Sequence, residues 1–288
     1  MCASRRESDE RAPLLDQPLH TVPLVFFDLE TTGLFPHRGD RVCEVALLRE
    51  RGGEPELRFE TLVNPQRPLS EQSFLVNGIR AEELAGAPLF AEAAGPLRAI
   101  SEGAVLVAHN APFDMEFLHT ELARAGLPPI AAPVIDTLAL ARRLSPRRPS
   151  HSLKALALAL GAPAPSHRAM GDVLALRAVF ADMAAQLATR GIRLLGDVLR
   201  YARGFDPGQP EPAAPPPIAT ALAAGQLLRV RYSSRAQPEP TERIIRPIEI
   251  VRQRETLFLR AYCYFRQDLR AFVIDKLHDV ELIEDSPA

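Results

Sequence analysis

One stretch divides this chain of 288 residues. Residues 204–217, GFDPGQPEPAAPPP, carry too many prolines for a helix or a central strand to run through them. They read as a semi-rigid linker. The texture differs on its two sides: apolar runs alternate with helical patterns before it, and short strand-like runs follow one another after it. The length admits two compact domains. The expected division is a disordered tail over 1–21, an α/β domain over 22–203, the linker over 204–217 and a small β domain over 218–288.

Composition sets outer bounds. Hydrophobic residues make up 47% of the chain and charged residues 24%, an ordinary globular profile with enough apolar material for a core. The formal net charge of -2 gives no general attraction to nucleic acid, although a local positive groove would suffice. Lys154 and Lys276 are the only lysines, so the basic residues are nearly all arginine. Arginine suits bidentate phosphate contacts, yet a GC-rich genome explains the bias more simply. Cys2, Cys43 and Cys263 are too dispersed for a disulfide framework or a zinc site. Met1 to Gln17 is charged and lacks the apolar core of a signal peptide, and no apolar run reaches the length of a membrane helix. A soluble, cytoplasmic protein without membrane attachment is expected.

The first apolar run, Val22–Asp28 (VPLVFFD), predicts a buried strand ending in an acid. Arg41–Arg49 and Glu56–Val63 predict two more, joined by a turn at Gly52–Gly53, which suggests an antiparallel meander. Helices are expected at Glu71–Val76 behind a Ser70 cap, and at Phe90–Ile100 with a break or kink at Gly95–Pro96. Further helices are expected at Pro112–Ala125, Ser152–Leu160 and Gly171–Leu187, with strands at Val105–His109 and Val134–Asp136. Beyond the linker, a helix at Ile218–Ala224 precedes strands at Leu227–Tyr232, Ile244–Val251, Thr256–Tyr264 and Arg270–Lys276.

Chemistry concentrates in three fragments. Asp28 and Glu30, in FFDLETTG, stand two apart at a strand end, so both carboxylates share a face. Carboxylate oxygens are the ligands that Mg²⁺ or Mn²⁺ prefer. The following Thr31–Thr32–Gly33 turn could let backbone N–H groups approach a nucleotide. Asp114, in HNAPFDMEFL, falls early in a helix that starts where a strand ends, a place where α/β folds gather functional groups. His167 and Asp172 lie in SHRAMGD, the histidine in a loop and the acid at a helix start. Taken singly, each has a plainer reading: a solvated strand end, a helix cap, a surface histidine.

In this order and spacing the sequence resembles the DEDDh exonuclease superfamily, which includes the proofreading ε subunit of bacterial replicative polymerase, RNase T and oligoribonuclease. FDLETTG is similar to its first motif, HNAPFDMEFL to its second and HRAMGD to its third. Glu44, the Val76–Ile79 stretch and Asp136–Thr137 are smaller echoes, and the likeness covers about Pro23 to Leu187. The resemblance implies a ribonuclease-H-like mixed sheet flanked by helices and two divalent cations, Mg²⁺ or Mn²⁺, held by Asp28, Glu30, Asp114 and Asp172. It implies His167 as general base, and Thr31, Thr32 and Leu34 against the terminal nucleotide. His109, Asn110 and Phe113 are weaker candidates for that pocket, with a core role equally open for Phe113. Asn77 stands where the family commonly has histidine. The implied activity is 3′→5′ hydrolysis of single-stranded DNA or RNA in repair or proofreading, with a polymerase or repair partner. The alternatives are an RNA-processing exonuclease and a sensing regulator that uses the nuclease fold as a scaffold.

Leu227–Ile283 resembles a WYL domain, with Leu257–Phe258–Leu259 at the name-giving tripeptide. This implies a small SH3-like β barrel that takes a second nucleic-acid or nucleotide ligand. Arg229, Arg231, Arg243, Arg246, Arg260 and Arg270 interleave with aromatics there. They fit either a single-strand platform or a barrel with an aromatic core and charged exterior.

Overall fold

The computed structural model describes residues 13–234 and 238–283. The first sheet opens with β1 (Leu24–Thr31), β2 (Val42–Arg51) and β3 (Glu54–Leu62). They form the expected antiparallel meander, turned by Gly52 and Gly53 at φ of 61° and 87°. Two short helices follow, α1 (Glu71–Asn77) and α2 (Ala81–Ala85). Ser70 caps α1 by accepting the Ser73 N–H at 3.1 Å.

Helix α3 (Phe90–Ser101) leads to β4 (Val105–Ala108), α4 (Ala111–Arg124), β5 (Val134–Asp136) and α5 (Thr137–Leu144). Then come α6 (Leu153–Leu160), the long α7 (Ala169–Thr189) and α8 (Leu195–Ala202). The sheet order is β3-β2-β1-β4-β5, with β4 and β5 joining parallel to β1. Because side chains alternate along β1, Phe26 faces α7 and packs on Phe180, while Phe27 faces the α3 and α4 side with Leu97 and Phe117. The sheet is therefore buried on both faces, as an α/β layer requires.

After the prolines, α9 (Pro216–Ala224) precedes β6 (Leu227–Tyr232), β7 (Thr241–Gln253), β8 (Thr256–Cys263), β9 (Asp268–Val273) and β10 (Leu277–Ile283). These make a second, wholly antiparallel sheet in the order β10-β6-β7-β8-β9. Ile218 and Ala221 of α9 pack into its core with Leu228, Ile245 and Leu259.

Several expectations need correction. The tail is not structureless over its described part: Leu19 is buried, its N–H bonds the Arg193 carbonyl, and Leu195 N–H bonds Gln17. Residues 1–12 lie outside the described residues. Gly95 and Pro96 do not interrupt α3, because both lie on its exposed face, where the carbonyl that loses its donor faces solvent. The linker is tied down: Phe205 is buried, Glu211 pairs with Arg203 at 2.7 Å, and Pro216 already opens α9. Sequence reading missed α2, α5, α8 and β10; the expected last strand ends at Val273 and gives way to a 3₁₀ turn.

The second sheet meets the segment after α8 at Gly204. The Arg252 N–H donates to the Arg203 carbonyl at 2.7 Å, and Arg252 Nε donates to Gly204 O at 3.0 Å. Gly204 sits at φ 104°, and a Cβ there would overlap the Arg252 backbone. On another edge of the contact the rings of His37 and Tyr262 lie 4.2 Å apart.

Candidate active site

β1 outruns its parallel neighbour. The β1–β4 ladder covers only Leu24 to Phe26, so Asp28, Leu29 and Glu30 project past the end of β4. Asp28 and Glu30 share the face covered by α7, and Asp172 comes down from the first turn of that helix. One carboxylate oxygen from each of Asp28, Glu30 and Asp172 falls within 4.8 Å of the others. Asp114 arrives from the opposite face through the gap that β4 leaves. It is 4% exposed, and its Oδ1 accepts the Leu29 N–H at 3.3 Å in place of a strand partner. The four acids expected from the sequence thus come from three elements to one sheet end.

Their electrostatics are unbalanced. Burial, then Asp114, Glu30 and Asp172, push the Asp28 carboxyl well above the ordinary carboxylate range. Glu30 is pushed to about 8 by burial, then Asp172 and Glu44, against a lowering hydrogen bond from Asn77. Asp114 is raised to about 8 by burial despite the Leu29 N–H. Asp172 is raised by burial too, opposed by the Ser166 and His167 N–H groups. Four acids this close cannot all ionise unaided. A divalent cation would supply the missing positive charge, and an all-oxygen donor set is what Mg²⁺ or Mn²⁺ takes, so the residues present fit such a group.

The loop before α7 is pinned twice. Asp172 Oδ1 accepts the N–H groups of Ser166 at 2.8 Å and His167 at 3.1 Å. Glu44, opposite Glu30 on β2 and 0% exposed, takes the Arg168 guanidinium at 2.7–3.1 Å and the Ala169 N–H at 2.9 Å. Between these anchors His167 adopts φ 55°, a left-handed conformation that a non-glycine residue holds only when its surroundings impose it. Its side chain is exposed. Sequence reading noted Glu44 only as an echo. Its signal was a lone acid in an otherwise apolar strand, VCEVALL.

The expected nucleotide contacts divide. Leu34 is 66% exposed beyond β1. Thr31 spends its hydroxyl on Gly33 O at 2.6 Å. Thr32 is 1% exposed, and its hydroxyl accepts the Arg41 N–H at 3.0 Å, so it holds the turn rather than facing outward. Gly33 makes room for the Asp40 carboxylate, which also accepts the Phe35 N–H at 3.0 Å. The turn is thus braced from within by Thr32, Gly33 and Asp40. His109 Nδ1 lies 2.9 Å from the Thr137 hydroxyl, and Phe113 packs on Phe117 at 5.0 Å. Asn110 is exposed, at φ 66°, with its N–H on Asp136 at 3.0 Å. Asn77 is buried against the cluster, bonded to Glu30.

The arginines of the second sheet do not form a free cationic face. Arg229, Arg231, Arg260 and Arg270 pair with Glu242 or Glu281, Asp279, Glu249 and Asp268, and Arg243 is buried under Phe265. Among the described residues no carboxylate pairs with Arg246, which stacks on Tyr264.

A family model described as Exonuclease matches residues 25–180, and one described as WYL domain matches residues 215–282. A DNA polymerase III subunit epsilon-like protein of Rhodobacter capsulatus is 40% identical over 195 residues, 66% of this chain and 28% of its own length. A PolC-type DNA polymerase III of Bacillus cereus is 35% identical over 190 residues, 65% of this chain and 13% of its own length. The chain thus spans less than a third of the length of either relative. Among solved structures, the zinc-bound E. coli ExoI–ssDNA complex has a TM-score of 0.53 at 18% identity, covering 83% of this chain and 54% of that one. At that identity the likeness is one of fold. Among the described residues no helix is long and apolar enough to cross a membrane.

Proposed function

The chain belongs to the exonuclease family, and from that membership we propose that it hydrolyses nucleic acid from the 3′ end, releasing nucleoside monophosphates, with single-stranded DNA as the preferred class. The observation that carries this reading is the convergence of Asp28, Glu30 and Asp172, with Asp114 beside them, at an open strand end.

Asp28, Glu30, Asp114 and Asp172 would hold two divalent cations, Mg²⁺ or Mn²⁺. When bound, they supply positive charge for the attacking and leaving oxygens of the displacement. The chain's own groups do the rest. His167, exposed at the mouth of the cluster on a twice-pinned loop, takes the proton from the attacking water as general base. Leu34 supports the terminal nucleotide, with Asn110 at the facing helix start. Thr31 and Thr32 act by shaping the turn beneath it.

We assign residues 22–203 to the catalytic domain and residues 218–288 to a WYL-type module, with the second sheet closing as an SH3-like barrel. The order β6-β7-β8-β9, with β10 returning to β6, is compatible with that closure. The epsilon-like relative supports work beside a polymerase or repair assembly.

The test is a digestion of 5′-labelled single-stranded DNA and RNA with Mg²⁺ or Mn²⁺, beside an Asp172→Ala control. A ladder shortening from the 3′ end, absent in the control, is expected, with DNA shortened faster. No shortening of either strand under any metal would overturn the reading in favour of a sensing role.

A further inference from the structure

A cavity of about 920 Å³ lies between the two sheets, on the outer face of α4. Its walls come from both halves of the chain: Ala111, Met115 and His119 of α4 on one side, Arg246, Ile248 and Tyr262 of β7 and β8 on the other. It is separate from the carboxylate cluster, because Asp114 projects from α4 toward the sheet. The volume falls at the upper end of the range for small-molecule sites, and a mostly apolar wall with a few convergent polar groups is their usual make-up.

One of those polar groups is unspent and a second is only partly used. His119 Nε2 is buried without a hydrogen-bond partner. Its ring bonds the Ile130 backbone and is held below the ordinary imidazole pKa by burial, then by Arg246. The ring is therefore neutral, and with its other nitrogen donating to a carbonyl, Nε2 is a bare acceptor. Arg246, which faces Tyr262 across the β7–β8 ladder, donates from Nη2 to the Tyr264 hydroxyl, has no carboxylate partner among the described residues and keeps its other guanidinium donors for a ligand. The other lining charges are occupied: Glu116 pairs with His37 at 3.3 Å and Glu249 with Arg260 at 2.6 Å. An occupant must therefore offer one N–H or O–H donor, one anionic acceptor and a flat apolar body for Met115, Ile130 and the Tyr262 side.

We propose that this cavity is a second ligand site, for a planar heteroaromatic anion of nucleoside monophosphate size, with ring N–H to His119 Nε2 and phosphate to Arg246. The site is independent of catalysis by the cluster. Because its walls come from both sheets, occupancy binds them together and bears on the helix that carries Asp114.

The test is calorimetric titration of the full chain in EDTA with AMP, dAMP, UMP and dTMP, and with inorganic phosphate alone. No turnover occurs without metal, so the result does not depend on the hydrolytic activity. At least one nucleotide is expected to bind saturably, and phosphate not to compete with it. Arg246→Ala and His119→Leu should each weaken it tenfold or more, and Ala123→Phe, which fills the cavity without removing a polar group, should abolish it. Asp28→Asn should leave it intact. Circular dichroism and Tm establish that the variants fold. Binding that survives Ala123→Phe but is lost in Asp28→Asn would move the nucleotide to the cluster and overturn the proposal. Absence of binding by all four nucleotides would also overturn it.

Discussion

Arg168 clasps the wholly buried carboxylate of Glu44 through Nε and Nη2, at 2.7–3.1 Å, one residue after His167 and four before Asp172. The pair spans from β2 to the start of α7 and fixes the loop that presents the histidine. Glu44→Gln keeps an acceptor for the Ala169 N–H but loses the charge that holds Arg168. We expect kcat to fall roughly 10- to 100-fold with KM little changed, the usual cost of loosening a group that orients a site residue. Arg168→Ala strands a buried carboxylate and should also destabilise the fold by about 3 kcal/mol. Arg168→Lys should not rescue it, because an ammonium cannot reproduce the forked contact. Steady-state kinetics beside thermal melts check both effects; an unchanged kcat in Glu44→Gln would remove the loop from the mechanism.

Asp28→Asn separates chemistry from stability. Asparagine imitates the protonated carboxyl that burial and four neighbouring acids already favour at Asp28. Metal-dependent digestion should fall by about 10³-fold or more, at least about 4 kcal/mol of barrier. The metal-free variant should nevertheless melt at or above the temperature of the parent at pH 8, where the parent is forced to ionise the cluster. A lower Tm would mean that Asp28 makes a structural contact not seen here.

The same repulsion sets a pH dependence. Ordinary values for Asp and Glu are 3.8 and 4.5, whereas folded Asp114 and Glu30 are held up to about 8. Between roughly pH 4.5 and 8 the folded chain therefore binds more protons than the unfolded chain, and stability falls as pH rises through that window. In EDTA, Tm should drop by several degrees from pH 5.5 to 8, at roughly 2–4 °C per kcal/mol. With Mg²⁺ in excess the slope should flatten, because the cation binds only the ionised cluster. Scanning fluorimetry across pH, with and without metal, measures it; parallel curves would argue that no cation binds these acids.

The acids were legible in the sequence through the order and spacing of three fragments, a strand end with Asp28 and Glu30 and helix starts with Asp114 and Asp172, because each alone has a plainer reading. Their convergence depends on β4 stopping at the level of Phe26 and Val107, a tertiary fact with no local trace. The Glu44–Arg168 clasp joins residues 124 apart, and sequence reading, which noted Glu44 only as an echo in an apolar strand, had no signal for its partner. A Thr-Thr-Gly turn reads the same in sequence whatever braces it, so the contact of Thr32 and Gly33 with Asp40 was not legible there. Strand β10 was overlooked because its alternation is weak and its side chains are mostly exposed.

Gly204 tests whether the two sheets act as one body. Its φ of 104° is reserved in practice for glycine, and an added methyl would meet the Arg252 backbone rather than a yielding side chain. Gly204→Ala should therefore push Arg252 away and break its bonds to the Arg203 and Gly204 carbonyls. The cost is about 2 kcal/mol or more at the contact, from backbone strain and two lost hydrogen bonds. The first sheet and the carboxylate cluster do not touch this point, so metal-dependent digestion of a short strand should persist. The proline-dense segment, now held at Phe205 and Glu211, should become cleavable by a protease at concentrations that leave the parent chain whole. Equal resistance in the variant would show that the His37–Tyr262 stack alone keeps the sheets together.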